Sequence, residues 1–299
     1  AMNIVAGNGD VFIAGGVESM SRAPYVMAKN DEAFSRKTEM VDSTIGWRFV
    51  NSKLSALYHP FSMGETAENV AEKWTISREA QDEFAFQSQE KYQLAAQANK
   101  FKDEIIFVPI PQSKGDALFV SVDEHPRMTS KEKLASLTPA FKKNGTVTAG
   151  NTSGINDGAA ASLIVSEDAL KRFNLKPMAR IVSMAVAGVD PAVMGIGPVP
   201  ATQKALQRAG LKIQDLDLVE LNEAFASQSL ACLSELNINP EMVNVNGGAI
   251  ALGHPLGCSG VRISTTLMHE MKRQHMKYGL ATMCIGVGQG AAVVYENLM

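Results

Sequence analysis

Asn246-Gly247-Gly248-Ala249-Ile250-Ala251-Leu252-Gly253-His254-Pro255-Leu256-Gly257-Cys258-Ser259-Gly260 sets five glycines and one proline around a single histidine. So many small residues let backbone amides and a ligand approach an imidazole closely. A lone histidine is ordinarily a loop residue satisfied by backbone, but the glycine density here points to a site. Working outward, residues 242–245 read as a strand leading into this loop and residues 260–273 as a helix leaving it. Residues 161–166, 179–188 and 216–221 read as further strands, with helices at 201–209 and 224–236. The chain closes with apolar runs at 279–284 and 291–295 around a glycine-rich turn, which predicts an antiparallel pair. Strands alternating with helices imply a layered α/β sheet.

Towards the N-terminus, Asp10-Val11-Phe12-Ile13-Ala14-Gly15-Gly16 reads as a buried strand entering a tight turn at its glycine pair. Residues 2–6 look like the last turns of a helix, with Gly7-Asn8-Gly9 as its C-cap. Residues 24–145 are richer in charged and polar groups and read as an insertion between strands of a larger sheet. Within it, helices are expected at 66–74 and 77–99. Ser77 is the N-cap of the second, and Ala80, Phe84, Ser88, Tyr92 and Ala95 lie along one face. Thr129-Ser130-Lys131-Glu132 fits a capping box that opens a short helix.

The 299 residues allow two domains or one large duplicated one, and a formal net charge of -3 gives no basic excess for nucleic acid. No apolar run is long enough to cross a bilayer, and the N-terminal residues lack the basic-then-apolar pattern of a secretory signal. Cys232, Cys258 and Cys284 are odd in number and widely spaced, which suits a reducing compartment such as the cytoplasm. His59, His125, His254, His269 and His275 form no ligand set, so no metal is expected.

Two more segments place reactive groups where a strand meets a loop. Asn222-Glu223-Ala224-Phe225-Ala226 follows the 216–221 strand, and Asn222 is either the N-cap of the next helix or a group that holds a water or a substrate oxygen. Cys284-Ile285-Gly286-Val287-Gly288-Gln289-Gly290 ends an apolar strand in alternate glycines, whose free N–H groups suit an oxyanion. Cys284 itself is as readily a buried structural thiol as a reactive one, and Cys258 reads as packing. Histidine, cysteine and asparagine near glycine turns suggest thioester or acyl chemistry. On the residues alone a cysteine peptidase is equally admissible.

These three segments resemble the motifs of the thiolases. Three further matches stand in family order: Ala14-Gly15-Gly16-Val17-Glu18-Ser19-Met20-Ser21, Met63-Gly64-Glu65-Thr66-Ala67-Glu68-Asn69, and the stretch from Gly145-Thr146-Val147 to Asp157-Gly158-Ala159. The resemblance covers the chain from end to end. It implies an α/β fold of two duplicated βαβαβαββ halves in five layers, with a loop domain inserted in the first half. Residues 1–23 and 146–169 would be the remnant of the N-terminal half, 24–145 the loop domain and 170–299 the C-terminal half. It also implies ping-pong acyl transfer between a 3-ketoacyl thioester and coenzyme A, the latter a substrate and not a resident cofactor. His254 would then activate the nucleophile, Asn222 hold a water, Cys284 move a proton at the acetyl α-carbon and the Gly286 N–H serve an oxyanion. Ser153, Met63, Phe225 and Ala224 would face the acyl-CoA, and a homodimer or homotetramer is implied.

Where the family has its nucleophile in a Cys-x-Ser-Gly motif, no cysteine occurs before Cys232. The expectation is that the chain starts within the helix that would carry it, leaving the N-terminal half incomplete and this chain without activity. Ser62 stands where many short-chain members have His, and Val287 and Gln289 replace a Gly and a Met. Thr44-Ile45-Gly46-Trp47-Arg48-Phe49-Val50-Asn51 resembles a stretch of the 3-oxoadipyl-CoA thiolases, although Trp47 and Phe49 would equally serve to pack the loop domain. A degradative thiolase acting on 3-oxoadipyl-CoA is the leading expectation, with acetoacetyl-CoA thiolase or a non-catalytic CoA-binding relative as alternatives. A decarboxylating condensing enzyme is disfavoured, because it would carry a His or Asn in place of Cys284.

Overall fold

The computed structural model describes residues 1–299. Helix α1 (Met2–Val5) ends at Ala6, and Gly7 and Gly9, with φ of +76° and +147°, turn the chain into strand β1 (Val11–Ser19). The strand does not stop at Gly15-Gly16 as the sequence predicts. A Cβ on Gly15 would lie 2.7 Å from the Ala160 carbonyl oxygen, and one on Gly16 would lie 1.7 Å from that of Gly257. The pair is thus a flat place where other backbone rests on a continuous strand, not a turn.

The inserted stretch holds two small hairpins, β2 (Tyr25–Met27) with β3 (Met40–Asp42) and β4 (Val108–Ile110) with β5 (Leu118–Val120). Its helices are α2 (Ser52–Leu57), α3 (Met63–Lys73), α4 (Arg78–Gln97) and α5 (Lys131–Ala135). Helix α3 starts three residues before the expected Thr66, because Ser62 and Glu65 form a reciprocal capping box. At α5 the cap falls on Ser130, whose hydroxyl accepts from Lys133 N–H, and the Thr129–Glu132 box does not form. The buried face of α4 is also rotated from the expected one. Gln81, Asp82, Ala85, Ser88, Gln89, Tyr92 and Ala95 are buried, whereas Ala80 is exposed and Phe84 half-buried. Polar residues take the inner face because their partners are the site loops.

After the insertion come β6 (Asp157–Val165), α6 (Glu167–Arg172), β7 (Ala179–Gly188) and α7 (Pro198–Ala209). The chain continues through β8 (Leu218–Leu221), α8 (Ala226–Leu236), α9 (Ala249–Leu252), α10 (Ser259–Gln274), β9 (Tyr278–Ile285) and β10 (Gln289–Asn297). Strand β6 returns antiparallel to β1, so the two ends of the insertion meet at Ser19 and Asp157. The second sheet runs β7-β10-β9-β8, with β10 antiparallel to both neighbours and β8 parallel to β9.

Alternation along β8 sorts its side chains. Val219 and Leu221 join the main core with Ala201, Ala205 and Leu206 of α7 and Leu233 and Leu236 of α8. Leu218 faces the other way, against Ile263, Leu267 and Met271 of α10. Helix α10 packs on both sheets, giving the order helix, sheet, helix, sheet. On the far side of the β1–β6 sheet, Ile13, Val17 and Leu163 are 80%, 73% and 55% exposed, an apolar face open to solvent.

Residues 242–245 are not the expected strand: only Val243 bridges to β8, at Val219. The side chain of Asn244 replaces the backbone ladder. Its Oδ1 accepts from Leu221 N–H at 2.9 Å, and its Nδ2 donates to the Leu221 carbonyl and to Glu223 Oε1, both at 2.8 Å. Asn244→Ala leaves those buried groups unpaired and is expected to cost about 2–4 kcal/mol. Urea unfolding followed by circular dichroism measures it.

Candidate active site

Residues 146–157 form the floor on which the motif loops rest. The buried Glu68 carboxylate of α3 accepts from the N–H groups of Thr146 and Val147, each at 2.9 Å. Asn151 then ties Thr148 N–H and Asp82 together, and its carbonyl accepts from Ala226 N–H. Both the N–H and hydroxyl of Ser153 donate to the Ala224 carbonyl, at 3.1 and 3.2 Å. At the end of the floor, Asn156 Oδ1 accepts from His254 N–H at 3.2 Å.

Glu223 fixes the glycine loop from the opposite side. Its carboxylate accepts from the Ser88 hydroxyl at 2.7 Å, from Asn244 Nδ2 at 2.8 Å and from Ile250 N–H at 3.1 Å. Burial pushes its pKa up, and these three donors oppose that. Gly248 has to be glycine here, since a Cβ would lie 2.1 Å from the Glu223 carboxyl carbon. Beyond His254 the loop is pinned to β1, where Gly257 N–H donates to Glu18 at 3.0 Å and Gly16 leaves room for the Gly257 carbonyl.

His254 is buried, with Nδ1 2.6 Å from Ser259 Oγ. The Ser259 hydroxyl donates its one hydrogen to the Pro255 carbonyl at 2.8 Å, so it accepts from Nδ1–H. That fixes the tautomer and leaves Nε2 as a free base. Burial, reinforced by the positive charge of Arg262, lowers the imidazole from 6.5 to about 4, so it is neutral at physiological pH. The site thus presents an unprotonated base whose orientation is set by a helix N-terminal serine.

Cys284 lies at the end of β9 in one buried cluster with Ala67, Val147, Met194, Ala224 and Phe225, against Met63. Burial raises its thiol to about 12, so it holds its proton firmly. Cys232 and Cys258 are raised by burial as well, so no thiol here has the low pKa of an activated nucleophile. Past Cys284 the turn continues through Val287 and Gly288 at φ of +68° and +89°, which presses Gly288 onto the Val189 carbonyl. Gly286 sits beside Met63, whose sulfur would be 3.6 Å from an added Cβ.

Asn222 is completely buried and is not a helix cap, since α8 begins at Ala226 with Phe225 as its N-cap. Neither its Oδ1 nor its Nδ2 has a partner in the chain. A buried amide with both functions free is prepared for a small polar ligand.

The structure therefore draws Cys284, Ala224, Phe225 and Met63 into one cluster, with Gly286 at its edge and Ser153 against Ala224. His254 joins the same floor through Asn156. Asn156, Ser259, Glu223 and Asn244 support the site without standing out as functional residues in the sequence. Only Ser259 carried a signal, five residues past His254 and at the start of a helix.

Residues 1–168 match the family model described as "Thiolase, N-terminal domain", and residues 175–297 that described as "Thiolase, C-terminal domain". The chain belongs to the thiolase family. It is 54% identical over 301 residues to an Escherichia coli protein named beta-ketoadipyl-CoA thiolase, spanning 100% of this chain and 75% of that protein. An acetyl-CoA acetyltransferase of Chromobacterium violaceum is 51% identical over 299 residues, spanning 99% of this chain and 75% of that protein. Human mitochondrial 3-ketoacyl-CoA thiolase, in a crystal structure with CoA, superposes with a TM-score of 0.90 at 45% identity, over 100% of this chain and 73% of that one. This thiolase is accordingly an acyl-CoA acyltransferase with the thiolase fold, and no helix in it is long and apolar enough to cross a membrane.

The lowered pKa of His254 has a thermodynamic consequence. A histidine that resists protonation when folded contributes stability above its ordinary 6.5, and that stability is lost as pH falls towards about 4. In His254→Asn the decline in melting temperature between these two pH values is expected to flatten, as calorimetry across that range would register.

Proposed function

We propose that this thiolase cleaves 3-ketoacyl-CoA with coenzyme A, releasing acetyl-CoA and a shortened acyl-CoA, and that 3-oxoadipyl-CoA is its preferred substrate. The observation that carries the site assignment is the pair of opposed groups, a neutral His254 with Nε2 free and a Cys284 that keeps its proton. His254 Nε2 takes the proton of the nucleophilic thiol that the family's Cys-x-Ser-Gly motif supplies, which is none of Cys232, Cys258 and Cys284, and the thiolate then adds to the 3-keto carbon. The bond between the α- and β-carbons breaks, and its electron pair goes to the α-carbon. Cys284 delivers a proton there, completing acetyl-CoA, and coenzyme A removes the acyl group from the thiol. Donors for the two developing oxyanions come from the water held by Asn222 with His254, and from Gly286 N–H. Ser153, Met63, Ala224 and Phe225 face the acyl-CoA.

The substrate preference is supported by the 44–51 stretch and by the names of the relatives. Trp47 Nε1 donates to the Phe61 carbonyl at 2.9 Å, tying that stretch to the entry of α3, whereas Phe49 remains 54% exposed. A cavity of about 580 Å³ opens beside it, lined by Leu57, Tyr58, His59, Phe61 and residues 189–192, next to the wall that Gly288 touches.

In this reading residues 1–23 and 146–169 form the remnant of one half of a duplicated fold, 170–299 the other half and 24–145 the insertion. The protein is cytoplasmic and takes part in aromatic or fatty-acid degradation. Membership of the thiolase family supports self-association, and light scattering is expected to give a dimer or tetramer in place of a monomer.

The test is thiolysis of 3-oxoadipyl-CoA against acetoacetyl-CoA, with equilibrium binding of CoA measured in parallel. The expected result is kcat/KM at least about tenfold higher for 3-oxoadipyl-CoA, and a loss of about 10²–10⁴-fold in His254→Ala with CoA binding retained. Preference for acetoacetyl-CoA would overturn the substrate assignment, and an unaffected His254→Ala would overturn the site. A second reading, CoA binding without turnover, is favoured by one observation, that all three thiols are raised in pKa by burial. CoA binding with no thiolysis would select it.

A further inference from the structure

Behind the His254 loop Arg262 pairs with Glu220, and its positive charge also acts on the carboxyls of Glu104 and Asp123 from two other parts of the chain. Arg262 stands at the end of the first turn of α10, where the helix dipole disfavours a cation, so something else has to hold it. Its Nη1 lies 3.6 Å from Glu220 Oε2, with the two side chains 19% and 4% exposed. Glu104, in the segment after α4, and Asp123, in the segment after β5, both feel its charge.

Arg262 Nη1 and Nη2, Glu220 Oε2 and Glu104 Oε1 all lack a hydrogen-bond partner in the chain. The Arg262–Glu220 contact is therefore made without a hydrogen bond in a low-dielectric interior, where removing the guanidinium takes away the positive charge that opposes the rise of the carboxyl pKa values. Burial raises all three carboxyls, Glu104 to about 7 and Glu220 to about 8, and Arg262 opposes the rise in each. Other charged groups border the cluster: Glu223 and Glu270 face Glu220, Arg273 faces Glu104, and His125 faces Asp123.

Arg262 also reaches the site. Ser259, one turn earlier on the same helix, holds His254 Nδ1. Glu220 stands two residues ahead of Asn222 on the strand that ends in the Asn222 loop. His125, two residues after Asp123, bonds through Nε2 to the Ile250 carbonyl of the glycine loop at 3.2 Å.

We propose that Arg262 is a positioning residue of the acyl-transfer site, clamping β8 and the 101–125 segment to α10 and so fixing where His254 stands relative to Asn222. Its charge also disfavours a second proton on the imidazole. The proposal rests on the reading of His254 as the base, so the test is chosen to need no turnover.

Nitrogen-15 NMR of the His254 ring gives its titration midpoint, and hydrogen exchange reports on residues 101–125. In Arg262→Gln the midpoint is expected to rise by about one pH unit. Exchange in 101–125 should quicken by about tenfold or more. Arg262→Lys, which keeps the charge, should restore most of the midpoint. A folded Arg262→Gln with an unmoved midpoint overturns the proposal even if exchange quickens, because that would be a structural role alone. Should Arg262→Gln not fold, Glu104→Gln combined with Asp123→Asn probes the clamp from the insertion side. Unchanged exchange there overturns it equally, while faster exchange in 101–125 supports it. Absence of thiolysis in the unmodified protein would count against the function and leave this test intact.

Discussion

The buried carboxylate of Glu223 is the constraint on which the rest of this site depends. An ionised carboxylate without partners would be intolerable in the interior, so the fold has to bring donors to it. They arrive from α4 as Ser88, from the segment beside β8 as Asn244 and from the glycine loop as the Ile250 N–H. One side chain thereby registers an inserted helix, a sheet strand and the loop of His254 against each other. The same requirement explains two departures from a simple periodic reading. The inner face of α4 is polar, and residues 242–245 give up a strand ladder so that Asn244 can serve β8 and Glu223 together.

Around that anchor, burial acts in opposite chemical directions on two groups. It makes protonated His254 costly, which leaves a base, and it makes ionised Cys284 costly, which leaves an acid. A general base and a proton donor can therefore coexist near neutral pH without any exotic partner. What distinguishes them is the neighbouring atoms: Ser259 and Pro255 set the histidine tautomer, whereas the thiol is surrounded by apolar side chains.

Much of the fold was legible in local pattern. Strand β7 falls at the expected residues, and β9, β10 and α10 lie within a few residues of them, because a two-residue or helical period records which side of an element is buried. From sequence the Gly15-Gly16 pair reads as a turn, because glycine marks two different things, a turn or a close approach of backbone. Only the Gly257 carbonyl, 241 residues away in sequence, decides between them. Capping errors at Ser62 and Ser130 are of the same kind, since two adjacent hydroxyl residues or an early glutamate leave the first turn ambiguous.

The sequence by itself determined the α/β alternation, the three glycine-flanked segments and the family, because those depend on period and on motif order along the chain. Tertiary structure alone decided that Asn222 is a fully buried amide with both functions free and not a cap. It alone decided that Ser259 points His254 and that Arg262 pairs with Glu220. Those facts concern which groups meet across long separations and how dry their surroundings are. Hydrogen-bond satisfaction and desolvation are properties of the packed interior, and no local spacing encodes them.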